Sequence, residues 1–390
     1  GAGWNVHEEK FLKDVVWINR IKLRASTGYT GSQGFSTYAA VPTVNYYQSG
    51  YRGQLGSYLL GLANPDLAWQ KKYDNNLGID VTFLDGSLNG RFDWYVSTTK
   101  GTITNVTTPP STGFASYTAN LGEVENKGWE AYLNWRVWNE KASMSYVTLY
   151  VSASGNENTL KKVSNSLKSM NDVTDKDYDE KSENTSVPVR YEEGASMSTI
   201  WVVKSLGIDP ETGKEVFRKK DGSLTYDWDS RDYVDGGDTR PKVSGNFGIN
   251  AEWHGIGLNA GFTWRLGGQI YNTTLLNKVE NADVHKNVDR RVFTDRWNTP
   301  GQVARFKAIS DDSSTQPTSR FVEDYNLLTF SSLNVYYDFR ECGFVKNSFL
   351  QRMKATFYMN DIATISSVKT ERGTSYPFAR TFSFSLQVTF

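Results

Sequence analysis

Phe382-Ser383-Phe384-Ser385-Leu386-Gln387-Val388-Thr389-Phe390 is the stretch whose reading decides the fold. Apolar side chains occupy every even position, and polar ones every odd position. Side chains alternate across a strand, so one face here is wholly apolar and the other polar. In water such a strand packs its apolar face on a core. In a transmembrane barrel that face meets lipid, and the polar face lines the lumen.

Recurrence upstream selects the second setting. Val243, Gly245, Phe247, Ile249, Ala251 and Trp253 alternate with Ser244, Asn246, Gly248, Asn250 and Glu252. After His254-Gly255, Leu258, Ala260, Phe262, Trp264 and Leu266 alternate with Asn259, Gly261, Thr263, Arg265 and Gly267. That is a hairpin with a very short turn. Leu77 to Phe83 and Leu88 to Val96 make another, turning at Asp85-Gly86. Ala131 to Val137 and Val147 to Ala153 make a third, turning at Asn139 to Ala142. Ile21 to Thr27, Leu333 to Phe339 and Met353 to Met359 repeat the pattern singly.

Composition agrees. The 390 residues are 38% hydrophobic and 14% aromatic, with 22 Tyr and 12 Trp to supply interfacial girdles. No stretch approaches the ~20 apolar residues of a membrane helix. A barrel carries its apolar signal in alternate residues, so a mean hydropathy of -0.53 is compatible with a membrane. The net charge of zero gives no pointer to nucleic acid. A single cysteine, Cys342, excludes an internal disulfide framework and a Cys-rich metal site. His7, His254 and His285 match no metal or catalytic spacing.

The links give topology. Short ones lie at 85–87, 139–143 and 254–256, and long ones at about 30–73, 101–126, 156–242, 270–326 and 366–378. Bacterial barrels put short turns in the periplasm and long loops outside. Unbroken alternation of short and long predicts ten spanning strands, all in one barrel domain over 1–390, with 157–242 as one large extracellular region. Within it, the acidic stretch Asp172 to Asn184 is expected to be mobile, and Ser198 to Leu206 to join a small hairpin. Gly1 to Asn5 reads as the tail of an earlier strand, so a C-terminal piece of a longer exported chain is expected. A strand ending on Phe390 is what outer-membrane proteins present to the barrel assembly machinery, and Phe390 is read as an assembly signal. The fold class is therefore all-β, a transmembrane antiparallel β-barrel integral to the outer membrane.

A set of ordered fragments carries a family resemblance. They are Gly1-Ala2-Gly3-Trp4-Asn5-Val6, Ile18 to Ser26, Asn64-Pro65-Asp66-Leu67-Ala68-Trp69 and Asn120 to Gly128. Gly207-Ile208-Asp209-Pro210-Glu211-Thr212-Gly213, Gly237 to Lys242, Asp295-Arg296-Trp297-Asn298-Thr299-Pro300-Gly301, Thr318-Ser319-Arg320-Phe321-Val322 and Tyr376-Pro377 through Phe390 follow. Over nearly its whole length the chain resembles the C-terminal barrel half of SusC/RagA-like TonB-dependent outer-membrane transporters of Bacteroidota. The resemblance implies a 22-stranded barrel with a plugged lumen, of which ten strands are under half. It implies a SusD-like surface lipoprotein that captures substrate, a TonB complex acting through a plug absent from this chain, and the remaining barrel strands as partners. Ten strands in lipid cannot close alone, because their edges would leave backbone groups unpaired.

Several side chains are candidates for the site. Arg20, Lys22 and Arg24 form a cationic column on the lumen face of the first strand, and Arg265 shares that face. They contact an anionic substrate or plug carboxylates, or they form an ion-paired wall with Asp80 or Asp93. Asp227, Asp229, Asp232 and Asp235 hint at a calcium loop, since hard cations take clustered carboxylates. The spacing departs from the EF-hand pattern, and no other cofactor is implied. Tyr46, Tyr47, Tyr51, Tyr226, Trp228 and Tyr233 lie in long links. They stack on a sugar, dock on the lipoprotein cap or pack the loops. No carboxylate pair matches a hydrolase motif, so an enzyme is not expected. The expected function is import of glycans or peptides into the periplasm. The alternative is a non-transporting surface scaffold or adhesin.

Overall fold

The fold was obtained as a computed structural model, which describes all residues except 48–50, 109, 121, 144, 182–183 and 370–378, and the side chains of 37, 51, 107, 110 and 166. Eleven strands form one sheet in chain order. They are β1 (Ala2–Asn5), β2 (Ile18–Ser32), β3 (Gln70–Phe83), β4 (Leu88–Lys100), β5 (Gly122–Glu140), β6 (Ser145–Val163), β7 (Val243–Trp253), β8 (Ile256–Tyr271), β9 (Val322–Asp338), β10 (Arg352–Ser366) and β11 (Phe382–Thr389). Every neighbouring pair is antiparallel. The ten strands that alternation predicts are β2 to β11, and β1 is the strand tail seen at Gly1 to Asn5. The sheet does not close: β1 and β11 are its edges.

Register sorts the two faces. Ile79, Phe92, Ala131 and Ala153 stand in one cross-strand row, and Asp80, Arg91, Tyr132 and Ser152 in the next, on the other face. Leu23, Phe92, Leu133, Phe247 and Phe384 are exposed, although they are large and apolar. A continuous apolar face of that kind is what a lipid-facing wall presents. Phe247, Phe262 and Phe330 stack along it with ring centroids 4.9 and 4.6 Å apart.

Local chemistry fixes the turns. His254 (φ 48°) and Gly255 (φ 85°) are both left-handed, as the two central residues of a primed hairpin turn must be. On the polar face, the Tyr336 ring lies over Gly257, where a Cβ would come within 1.9 Å of it. Tyr95 and Tyr150 cover Gly128 and Gly248 in the same way. Each ring restores packing over a glycine that would otherwise weaken its strand.

The links after β6 and after β8 are folded rather than loose, and most of the 366–378 link lies outside the described residues. A four-stranded sheet orders Leu224–Thr225, Glu215–Arg218, Thr199–Ile208 and Tyr233–Asp238 side by side. Beneath it, Val202, Leu276, Val279, Val292, Phe306 and Phe321 form a core, each at most 1% exposed. Tyr271, the last residue of β8, is buried in that core, and Val322, the first of β9, packs against it. A second cluster joins Trp201, Val203, Phe217 and Tyr233.

β6 stays paired with β5 as far as Val163, so the first residues of the 157–242 region prolong the wall before its loops begin. The acidic stretch is not a bare loop: α1 (Asn165–Glu180) is capped by Ser164 and buries Leu167 and Met170 against Val106 and Ala119. Those two apolar residues at i and i+3 lie on one helical face, and that face outweighs the surrounding charge. Residues 182 and 183 of the stretch lie outside the described residues.

Candidate functional site

The polar face carries an ion-pair cluster built around the buried Asp93 and contributed by three neighbouring strands. Arg24 on β2 donates through Nε to Asp80 Oδ2 at 2.8 Å and through Nη2 to Asp80 Oδ1 at 3.1 Å. The same Nη2 stands 2.9 Å from Asp93 Oδ1, and Arg91 Nε stands 2.5 Å from Asp93 Oδ2. Asp93 is only 5% exposed. Gly78 makes room for the cluster, because a Cβ there would fall 2.5 Å from Asp93 Oδ1 and 2.6 Å from Arg24 Nη2. Charge-assisted, forked pairs of this kind hold side chains in one geometry. Arg24 is thus part of an ion-paired wall with Asp80 and Asp93.

Arg24, Gly78, Asp93, Glu130, Ser154, Ser244 and Arg265 lie on one cross-strand row. The structure therefore places Arg24 and Arg265 on the same face, six strands apart in the sheet. Arg265 donates to the Thr239 carbonyl at 2.9 Å and sits 4.9 Å from the Tyr325 ring centroid. Arg20 and Lys22 project from β2 beside Arg24 without an ion pair among the described residues, and Arg20 is exposed. The wall offers hydroxyls, amides and paired charges to a solute.

The loop layer explains the family-like fragments. Arg296 is buried and donates to the carbonyls of Val279 at 2.7 Å and Lys307 at 3.3 Å. Trp297 Nε1 donates to the Pro210 carbonyl at 2.7 Å, and its ring covers Gly213, whose φ is +70°. Arg320 ion-pairs with Glu215 at 2.7 Å and Glu280 at 2.6 Å, and Thr318 Oγ1 donates to Glu215 Oε1 at 2.7 Å. Burial opposes the Arg320 charge, but the two carboxylates outweigh it and hold the guanidinium above its ordinary range. Burial lowers Arg296, which has no such pair of carboxylates. Sequence reasoning met both arginines only as parts of fragments. Their partners are 11 to 105 residues away, and no periodic signal marks them.

The aspartates considered for calcium do not converge. Asp229 caps a short turn and is forked by Arg231 at 2.9 Å. Asp232 accepts from Lys220 N at 3.0 Å, and Asp235 from Gly237 N at 2.8 Å. The Asp227 backbone N–H donates to Thr225 Oγ1 at 3.0 Å. Among the described residues, no three His, Cys, Asp or Glu side chains group as metal ligands.

The aromatics divide. Tyr46 is 63% exposed, and Tyr47 packs against Tyr58 at 6.0 Å. The Tyr51 side chain lies outside the described residues. Tyr226 is exposed and donates to Asp209 at 2.7 Å. Trp228 donates to the Pro317 carbonyl at 3.0 Å and packs edge-on against Tyr233 at 5.5 Å. Tyr233 is 1% exposed, and burial pushes its phenol up. Of the three roles open to it, Tyr233 has the packing one, because its strand faces the Trp201–Phe217 cluster. Phe390 is exposed and stacks on Phe349 at 5.8 Å.

An open antiparallel wall with one apolar and one polar face, crowned at one end by packed loops, defines a segment of an outer-membrane-type β-barrel. The chain belongs to the TonB dependent receptor-like, beta-barrel family, whose model matches residues 4–275. It is 24% identical to TonB-dependent receptor P39 of Formosa agariphila, over 92% of this chain and 38% of that protein. Over a shorter stretch, 34% of this chain and 14% of its relative, it is 34% identical to TonB-dependent receptor SusC of Bacteroides thetaiotaomicron. Its fold superposes on the RagAB peptide transporter with a TM-score of 0.76 at 19% identity, over 94% of this chain and 39% of that one. The chain spans about two-fifths of the length of the relatives it matches most broadly.

Proposed function

We propose that this chain forms the later part of the barrel wall of a TonB-dependent importer in the outer membrane. Its turn end faces the periplasm, and its loop layer faces outside. The cargo is a glycan or a peptide, handed over by a SusD-like lipoprotein above the loop layer, with TonB acting through a plug held by the rest of the protein. Family membership over residues 4–275 is the observation that carries this reading. The polar face supports it: a row that ends in ion-paired and amide groups suits passage of a hydrated solute, and the packed loop layer provides a firm rim for a partner.

Deletion of the gene for the full-length protein tests the proposal. Loss of periplasmic accumulation of labelled oligosaccharide or oligopeptide, restored by complementation, is the expected result. Unchanged accumulation of both, with surface adhesion lost instead, would favour a scaffold role. Affinity purification of the full-length protein from detergent should bring a surface lipoprotein with it.

A further inference from the structure

Strand tilt sets the depth of each residue on the outward face. One cross-strand row runs from Phe83, the last residue of β3, through Trp135, Ile249 and Leu333 to Phe382, the first residue of β11. A single row thus lies at the turn end of β3 and at the loop end of β11, which is the stagger that tilted barrel strands require. The apolar face of β11 runs down from Phe382 to Phe390, and that of β8 spans Ile256 to Leu266. A membrane strand takes ~9–11 residues. Counted up from Phe83, such a span on β3 ends at Tyr73.

An aromatic belt stands at that boundary. Tyr29 and Tyr73 are direct cross-strand neighbours with ring centroids 5.9 Å apart, and both are exposed. Beside them the Trp69 ring lies over Gly31, 3.6 Å from the place a Cβ would take. Tyr and Trp collect where hydrocarbon meets headgroups.

Two residues further toward the loops, the same outward face reads Gly31, Lys71, Lys100 and Glu123 across β2 to β5. That row lies about 7 Å along the strand from the tyrosines, at headgroup depth. Lys71 and Lys100 are directly opposite each other, and like charges so placed repel. Lys71 has no carboxylate within ion-pair distance among the described residues. Lys100 has only Glu123, at 3.9 Å, and its Nζ stands 5.7 Å from the Tyr73 ring centroid. The neighbouring lysines are better occupied. Lys72, on the polar face, pairs with Asp74 at 2.9 Å, and Lys127 and Lys161 share Glu125 at 3.0 and 2.9 Å. A shared anion relieves a repelling pair, and a phosphomonoester, with a charge of about −1.5 to −2 at pH 7, balances two lysines.

We propose that Lys71 and Lys100 bind the phosphomonoester of an outer-leaflet lipid headgroup. Tyr29, Tyr73 and Trp69 bed the part of that lipid where headgroup meets acyl chain. The inference rests on the outer-membrane placement of the wall, and not on what the protein imports.

The test uses the full-length protein in phosphatidylcholine nanodiscs, with and without monophosphoryl lipid A, read by native mass spectrometry. Wild-type protein should retain lipid A. Retention should fall about tenfold or more in Lys71→Gln/Lys100→Gln, from loss of two headgroup-level charges, and Lys71→Arg/Lys100→Arg should keep it. Lys161→Gln/Lys162→Gln removes the same charge two strands further along the wall and should retain lipid normally. Melting in detergent gives a second reading of opposite sign. Without lipid A the Gln double variant should melt above wild type, because the repulsion is gone; added lipid A should raise wild type and leave the variant where it was. Equal retention by wild type and the Gln double variant would overturn the proposal. So would undiminished retention of lipid A stripped of its phosphate, or equally tight binding of glucosamine 1-phosphate, which would assign the lysines to a soluble anion. Wild-type protein missing from the outer-membrane fraction would sink the placement of the wall; correct fractionation with no preference for lipid A sinks this inference alone.

Discussion

Tyr336 shows how single residues set the strength of this wall. Its ring lies on Gly257, its hydroxyl donates to Glu252 Oε2 at 2.7 Å, and Lys354 Nζ stands 3.6 Å from the ring centroid. Gly257→Ala pushes the ring off and breaks the Glu252 bond. We expect ~1–3 kcal/mol of destabilisation from overpacking, visible as an earlier loss of heat-resistant migration in gels. Gly28→Ala on β2, with open space around its Cβ and no left-handed φ, is the control. Arg320 is the counterpart in the loop layer. Arg320→Met leaves Glu215 and Glu280 buried without their cation, which costs ~3–5 kcal/mol. Limited proteolysis should then cut the layer while the wall stays intact, and adding Glu215→Gln and Glu280→Gln should restore much of the protection. Asp289 gives a pH signature. Arg291 lowers its carboxyl from 3.8 to about 2 in the folded protein. Its contribution is therefore present above the unfolded value and is lost as pH falls through about 2. Asp289→Asn should lower stability at pH 6 and leave it unchanged near pH 2, as followed by urea titration of the loop layer.

At the scale of an element, β7 and β8 carry the sharpest contrast. Phe262 lies in the outward aromatic ladder, whereas Asn259 lies in the row with Asn250 and Asn334 on the polar face. An Arg in lipid at mid-depth costs ~2–4 kcal/mol. Phe262→Arg should assemble poorly, and Asn259→Arg should reach the membrane at normal levels; equal levels would reverse the faces. Both strands were legible from sequence because a period of two survives without any knowledge of partners. The 254–255 turn was legible too, since its short span and Gly255 suit a primed turn. What alternation could not show was where strands end. β6 continues through Asn156-Glu157-Asn158, where both faces are polar, because β5 supplies its ladder there.

For the whole molecule, a single thiol tests orientation. Ser223 is exposed at a tip of the loop layer, and native Cys342 sits near the turn end. In a Cys342→Ser background, Ser223→Cys should react with an impermeant thiol reagent on intact cells. Reaction only after the outer membrane is permeabilised would invert the wall. The loop layer escaped sequence reasoning for a physical reason. Its core gathers Val202, Leu276, Val292, Phe306 and Phe321 from segments far apart in the chain, and none of those segments repeats. Which of the extracellular aromatics packs the loops was hidden for the same cause: Tyr233 does, and its partners Trp201 and Phe217 lie 16 to 32 residues away. Arg24, by contrast, sits on a regular strand, so its pairing with Asp80 and Asp93 was readable as one of two possibilities.

Tyr271 and Val322 belong at once to the wall and to the core of the loop layer. That double membership is a mechanical weld. A force applied along β8 or β9 has no slack joint in which to dissipate before it reaches the crown. The Val44–Tyr47 and Gly56–Leu59 hairpin shares no residue with any of the three cores. Among the described residues the weld lies above β8 and β9, so a load on the crown passes into the wall there.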